Sequence, residues 1–402
     1  MAEMSFREIE GGLLVADGFV ASTAAAGIKP EGLDMLLLHS RRPACAAATI
    51  TTNAFRAAPT YVTENHVANG HARTIVANSG NANAATGERG MTNARRMAEL
   101  VALEAQVPVD EVLVCSTGRI GIQLPMERIE AAIPELCRTM NRDCAPEAAR
   151  AIMTTDTVPK ECAVEFEAGG KRARIGAIAK GAGMICPNMA TMLCFIATDV
   201  AIAPELLQQA LRGAVGRSFN CISVDGDMST NDTVIVLANG EAGNELIDDE
   251  EMRGFAVFCE ALHFVTQELA KQIARDGEGA SKFIEVRVSG ARSWDEAHTV
   301  GRAVTRYNLV RSCIWGEDFN WGRIAGAIGA SGADVDPATV SIAIGGIRAF
   351  AGGEPVEYDQ DEADGVMAGD GILIEIDLGA GDAEAVCWSC DLTPEYVELN
   401  AK

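Results

Sequence analysis

From Met192 to Ala197 the chain presents six consecutive apolar side chains, bounded by Thr191 before and Thr198-Asp199 after. A run of that length without alternation predicts a short strand covered on both faces. Similar runs over Met35–His39 and Cys45–Thr52 predict two more strands, with Arg41-Arg42-Pro43 as a tight turn between them. Arg73–Asn78, Glu111–Cys115, Phe283–Val288 and Ile372–Leu378 complete the longer apolar stretches. Cys162–Phe166 and Ala173–Ala179 alternate, and Ala168-Gly-Gly-Lys171 between them predicts a hairpin. Helical spacing predicts helices from about Glu88 to Gln106, after Pro125, from about Pro146, over Pro204–Val215 and over Asp249–Ala274. The interleaving of both kinds of element predicts a mixed α/β fold in which helices cover packed sheets.

Composition narrows the functions available. At 402 residues and 48% hydrophobic content, the chain can bury one large core or two ordinary ones. A net charge of −24 argues against nucleic-acid and anionic-membrane partners, which reward clustered lysine and arginine. No apolar run approaches a membrane span, and the first ten residues lack a signal core or transit character, so a cytoplasmic protein is expected. Twelve cysteines lie scattered in apolar or helical stretches, as expected of buried thiols in a reducing compartment. Cys387-Trp-Ser-Cys390 is the single CxxC, and with no second pair or neighbouring histidine it reads as packing. The five histidines show no ligand spacing, and His39 at the end of an apolar run reads as structural. Asp225, Asp227 and Ser229 imitate the start of a calcium loop, but Thr230 and Val236 occupy the positions that need glycine and glutamate. No metal site is expected. The glycines of 316–332 lack the order of a dinucleotide loop.

Chemistry concentrates where strands end in small polar residues. Thr191 stands where a Gly/Pro-rich loop, Lys180-Gly-Ala-Gly-Met-Ile-Cys-Pro, gives way to the buried run. A hydroxyl is a weak nucleophile at neutral pH, and chain cleavage just before it would supply an α-amine, titrating near pH ~8, as its base. Ser116-Thr117-Gly118 ends another strand and offers a hydroxyl beside an unhindered N–H, two donors for a developing oxyanion, or simply a turn. Asn78-Ser-Gly-Asn-Ala-Asn-Ala-Ala-Thr-Gly87 reads either as a turn with a helix cap or as a loop lining a site. Lys180, at the head of the glycine loop, reads as a surface lysine or as a cation that keeps a nearby amine unprotonated and holds a carboxylate.

The wording of these segments resembles one family. Lys180-Gly-x-Gly-Met-Ile-x-Pro-Asn-Met-Ala-Thr-Met-Leu is similar to the self-cleavage segment of the ornithine acetyltransferases, also called glutamate N-acetyltransferases. Asn-Ser-Gly-Asn-Ala-Asn-Ala-x-Thr-Gly, Thr154-Thr-Asp-Thr157-x-Pro-Lys160, Val-Asp-Gly-Asp-x-Ser-Thr-Asn-Asp232 and Gly316-Glu-Asp-x-Asn-Trp-Gly-Arg323 follow the same family in order, from about residue 10 to the end. The resemblance implies cleavage between Ala190 and Thr191 into chains 1–190 and 191–402, with Thr191 as nucleophile and Thr117 and Gly118 as oxyanion hole. It implies substrate contacts at Thr157, Lys180, Thr191, Glu278 and Asn400. The implied activity is ping-pong transfer of acetyl from N2-acetyl-L-ornithine to L-glutamate in arginine biosynthesis, with two copies of each fragment and no bound cofactor. Some members also accept acetyl-CoA as donor. The alternatives are an amidohydrolase or aminopeptidase with the same nucleophile, and a non-catalytic binding protein of the same fold. The chain departs from the family pattern at Arg119, Phe319 and Ser389, and after Asn400, where the family continues to a terminal Tyr-x-Thr.

Overall fold

The computed structural model describes residues 5–186 and 192–401, so Ala190 and Thr191 lie outside the described residues. The chain divides into two compact units, one of residues 1–181, 187–220 and 228–269, the other of 182–186, 221–227 and 270–402.

The first unit is built on a mixed sheet in which, among the described residues, nine strands take part. In order they are Phe6–Glu8, Lys160–Ala168, Lys171–Lys180, Leu193–Thr198, Thr233–Ala238, Met35–Ile50, His71–Asn81 and Val112–Arg119, with Phe19–Ala24 also paired to Met35–Ile50. The expected hairpin is present, its two-residue turn made by Gly169 and Gly170 at φ +57° and +75°. Both positive angles suit the turn that matches strand twist. The apolar run is the strand Leu193–Thr198, buried at all six positions. It pairs antiparallel with Lys171–Lys180 on one side and parallel with Thr233–Ala238 on the other.

The tight turn expected at Arg41-Arg42-Pro43 does not form. Met35–Ile50 is one strand of 16 residues, with a register irregularity between His39 and Ala44 and exposed side chains at 41–43. Its first half pairs with Phe19–Ala24, its second half with Thr233–Ala238 from Cys45 onward. Pro43 falls between these two pairings, where its missing N–H leaves no ladder bond unmade.

Alternation along the central strands feeds two cores. Leu36 and Leu38 join Ile75, Leu113, Phe195 and Ile235 on one face. Met35 and Leu37 join Val76, Val112 and Val114 on the other, under the helices Gly87–Ala105 and Met126–Arg138. Both faces are therefore covered, which is why these strands read as continuous apolar runs.

A cut before Thr191 would leave the products interleaved in this sheet. Leu193–Thr198 and Thr233–Ala238 belong to the C-terminal product, yet they sit between Lys171–Lys180 and Met35–Ile50 of the N-terminal one. Cleavage would thus not separate the fragments without unfolding the sheet.

The second unit has a seven-stranded mixed sheet, in order Glu354–Pro355, Ile347–Ala351, Ser341–Ile344, Gly371–Asp377, Phe283–Ala291, Ala383–Cys390 and Ile222–Ser223. The helices Trp294–Arg306 and Trp321–Gly329 contribute Val300, Val304, Ile324 and Ile328 to its core. Gly326 and Gly329 lie inside the latter helix, in keeping with the rejected nucleotide loop. Asn320 accepts the Arg323 N–H to cap it, and Phe319 packs against Tyr358 at 4.7 Å, so the Gly-Glu-Asp-Phe-Asn-Trp-Gly-Arg motif starts a helix. Among the described residues no helix is long and apolar enough to cross a membrane.

Candidate functional site

Thr117 and Gly118 lie at the end of the strand Val112–Arg119, where Ser79 and Gly80 of the neighbouring parallel strand stand opposite them. Thr117 is buried and Gly118 is at the surface. A Cβ on Gly118 would lie 2.3 Å from the Gly80 carbonyl carbon and 2.5 Å from the Asn81 nitrogen, and φ is +132°. Only glycine fits there, and its N–H is unshielded by any side chain of its own. The carboxamides of the asparagine-rich loop hold this turn from behind. Asn78 accepts from the Ser116 hydroxyl at 2.6 Å and donates to the Asn81 carbonyl at 2.8 Å. Asn81 donates to the carbonyls of Ile122 and Gln123, and Asn83 to that of Gly90. Asn231, buried in the Ser-Thr-Asn-Asp end of its motif, donates to the carbonyls of Ala82 and Ser116 at 2.6 and 2.8 Å. Of the two readings of the asparagine-rich loop, these bonds favour scaffolding: its amides fix the backbone beside Thr117 and Gly118.

Lys180 ends the strand Lys171–Lys180 and is 7% exposed. Its ammonium donates to the Thr154 hydroxyl at 2.6 Å and stands 3.8 Å from Asp156. Asp156 is the hub of this cluster. Its carboxylate pairs with Lys160 at 2.7 Å, both side chains fully buried, and accepts the N–H groups of Thr154 and Gly181. Burial alone would push the Asp156 carboxyl up, but the charges of Lys180 and Lys160 overcome it and hold the group well below the usual carboxylate range. The Thr154–Lys160 motif is thereby folded around one carboxylate next to Lys180. Thr157 follows that hub at an exposed position.

Lys29 belongs with these residues and carries no mark in the sequence. Asp34, fully buried, accepts the N–H groups of Ala26, Ile28 and Lys29 and so closes the loop that presents Lys29. The lysine stem lies over Gly80, where a Cβ would come within 2.6 Å of Lys29 Cγ, and its ammonium donates to the Met153 carbonyl at 3.0 Å. Desolvation lowers its pKa, opposed by Asp34 and Asp156 and aided by Lys180. A lysine is thus held between the Gly80 backbone and the segment that carries Thr154 and Asp156.

In the second unit Glu278 and Asn400 come together. Asn400 Nδ2 donates to Glu278 Oε2 at 2.8 Å, and the Glu278 N–H donates to the Ala182 carbonyl at 2.9 Å. The Glu278 carboxylate lies so close over Gly183 that a Cβ there would meet it at 2.3 Å. Asp225 accepts the N–H groups of Met184 and Ile185 at 2.5 and 2.8 Å and the Tyr396 hydroxyl at 3.3 Å. Glycine at 183 is required by this close packing, which the loop's composition alone does not reveal. His39 is structural as expected: it bonds Thr74 at 2.9 Å, and burial, with Arg73 and Arg41, lowers its pKa to about 4.

A strand-end position that admits only glycine, a neighbouring hydroxyl and fixed cations suit a carbonyl carbon that becomes tetrahedral, the requirement of acyl transfer. Comparison with known proteins agrees. The model of the ArgJ family matches residues 20–402. An arginine biosynthesis bifunctional protein ArgJ from Symbiobacterium thermophilum is 48% identical over 395 residues, covering 98% of each chain. The protein of the same name from Geobacter sulfurreducens is 47% identical over 386 residues, 96% of this chain and 98% of the relative. Among solved structures, an arginine biosynthesis bifunctional protein argJ from Bacillus halodurans aligns with TM-score 0.50 and 44% identity over 52% of this chain and 97% of its own. The chain belongs to the ArgJ family, the ornithine acetyltransferases its motifs resemble, and is an acyltransferase of arginine biosynthesis.

Proposed function

We propose that the chain cuts itself between Ala190 and Thr191 and then carries acetyl on Thr191 Oγ from N2-acetyl-L-ornithine to L-glutamate. The observation that carries this reading is the Lys180–Asp199 wording in a chain 48% identical, end to end, to an arginine biosynthesis bifunctional protein. The Thr191 α-amine takes the hydroxyl proton as Oγ attacks the acetyl carbonyl. Thr117 and the Gly118 N–H meet the oxygen that becomes negative. Collapse breaks the C–N bond, the proton passes to the departing ornithine amine, and an acetyl-threonine ester remains. The glutamate amine attacks that ester, and the same residues return the threonine hydroxyl. Glu278 and Asn400 hold the substrate's amino group, and Thr157 and Lys180 contribute contacts to the acyl-amino acid.

The Bacillus halodurans chain supports the cut: nearly all of it matches 52% of this one, about the share that residues 191–402 represent. The relatives' description as bifunctional fits acetyl-CoA as a second donor to the same threonine. Assembly as two copies of each fragment, in a cytoplasm that keeps the twelve cysteines out of disulfides, completes the proposal.

Thr117→Ala tests the oxyanion assignment. Removing one donor lowers kcat for N-acetylglutamate formation by ~10²–10³-fold, while KM changes little. A rate near wild type removes Thr117 from the mechanism. The same assay without glutamate separates transfer from hydrolysis, since steady release of acetate would mean that water is the acceptor.

A further inference from the structure

We propose that Cys221, His298 and Cys387 form a zinc site in the second unit. Their ligand atoms, two Sγ and one imidazole nitrogen, all lie within 4.8 Å of one another. The residues come from three distant stretches, so no motif in the sequence announces them. Cys387 lies on the strand Ala383–Cys390, whose next residues, Trp388 and Ser389, pair in parallel with Ile222 and Ser223. That register brings Cys221, just ahead of Ile222, alongside Cys387. His298 projects from the helix Trp294–Arg306, stacked on Trp294 with ring centroids 4.5 Å apart and planes 14° apart. Stacking fixes the imidazole's direction. One turn on, the helix carries Gly301, where a Cβ would lie 2.8 Å from Cys387 Sγ. The absent side chain gives the thiol its approach to the helix.

The donor set points to the metal. Two thiolates and an imidazole form a soft-to-borderline set that suits zinc, with bonds of about 2.3 Å to sulfur and about 2.0 Å to nitrogen. Tetrahedral geometry at those lengths separates the donor atoms by roughly 3.5–3.8 Å, so the cluster needs only a small contraction. Binding forms two Zn–S bonds and one Zn–N bond and releases two thiol protons to solvent, with no change of oxidation state. Three protein donors leave a fourth position for a solvent molecule. Both cysteines are at most 2% exposed, so the metal would be held inside the unit, and half-buried His298 offers the approach. Cys390, three residues after Cys387, points to the opposite face of its strand, so the CxxC is not the ligand pair. The consequence reaches the proposed scissile segment. Cys221 begins the stretch that leads to Asp225, and Asp225 holds the backbone of Met184 and Ile185.

The test is metal analysis of the full chain purified without chelator, followed by chelator stripping and titration with Co²⁺. The expected result is one zinc per chain and a thiolate-to-cobalt charge-transfer band in the near ultraviolet. Cys221→Ser and His298→Ala lose zinc and band, whereas Cys259→Ser keeps both. If the cysteine variant fails to fold, His298→Ala and the wild-type cobalt spectrum still decide. Wild-type protein with neither zinc nor a cobalt–thiolate band overturns the proposal. So does unchanged zinc content in His298→Ala, or a Cys221–Cys387 disulfide in peptide maps of the purified protein.

Discussion

Thr191→Ala leaves a single chain of 402 residues that transfers no acetyl from acetylornithine to glutamate. Both losses follow from one atom in the proposed chemistry. Self-cleavage before a threonine needs its hydroxyl to attack the preceding carbonyl, and the transfer reaction needs the same hydroxyl again, now with the freed α-amine as base. Thr191→Ser keeps the hydroxyl and separates chemistry from folding: it still cuts and still transfers, although more slowly. Denaturing electrophoresis and an N-acetylglutamate assay read both variants. Normal cleavage of Thr191→Ala would place the scissile bond elsewhere, and normal transfer would remove Thr191 as the acetyl carrier.

Asp156→Asn has the largest expected effect on stability. The wild-type carboxylate neutralises fully buried Lys160 and faces Lys180, which is 7% exposed. Removing its charge strands both ammonium groups, and breaking a buried pair in this way costs about 3–5 kcal/mol. The same pair sets an acid dependence. The carboxyl's pKa falls on folding from its ordinary value of 3.8, so the unfolded chain holds the proton more tightly than the folded one. The stabilisation is complete above the unfolded value and is lost as pH falls from there through the folded value. Urea midpoints measured at pH 7 and at pH 3 check this: the gap between wild type and Asp156→Asn narrows at the lower pH. A gap that stays constant or widens would mean that the carboxylate does not carry the cluster.

The sequence is most informative where local burial or turn chemistry alone decides the matter. Leu193–Thr198 is buried on both sides, and no polar residue interrupts it, so its run of apolar residues could be read as a strand at once. The Lys160–Ala168 and Lys171–Lys180 hairpin was equally plain, because paired glycines adopt the angles its turn demands. Arg41-Arg42-Pro43 misled, since a proline between two sets of pairing partners looks locally like a turn. Only the positions of the neighbouring strands show that the chain passes through an irregularity and continues as the same strand. The site divides in the same way. Thr117, Gly118 and Lys180 stand in worded motifs, whereas Asp156 acquires its importance from two lysines and two amides that folding brings to it. Lys29 depends on Asp34 closing a loop and on the bare backbone of Gly80. Cys221, His298 and Cys387 meet through strand register and a helix glycine, neither of which local spacing encodes.

Mass spectrometry of the purified protein under denaturing conditions tests the central claim without any substrate. The account predicts two species, residues 1–190 and a second chain whose first residue is Thr191. A single uncut mass from protein that nevertheless forms N-acetylglutamate would contradict it, because transfer would then proceed without the amine on which the mechanism relies.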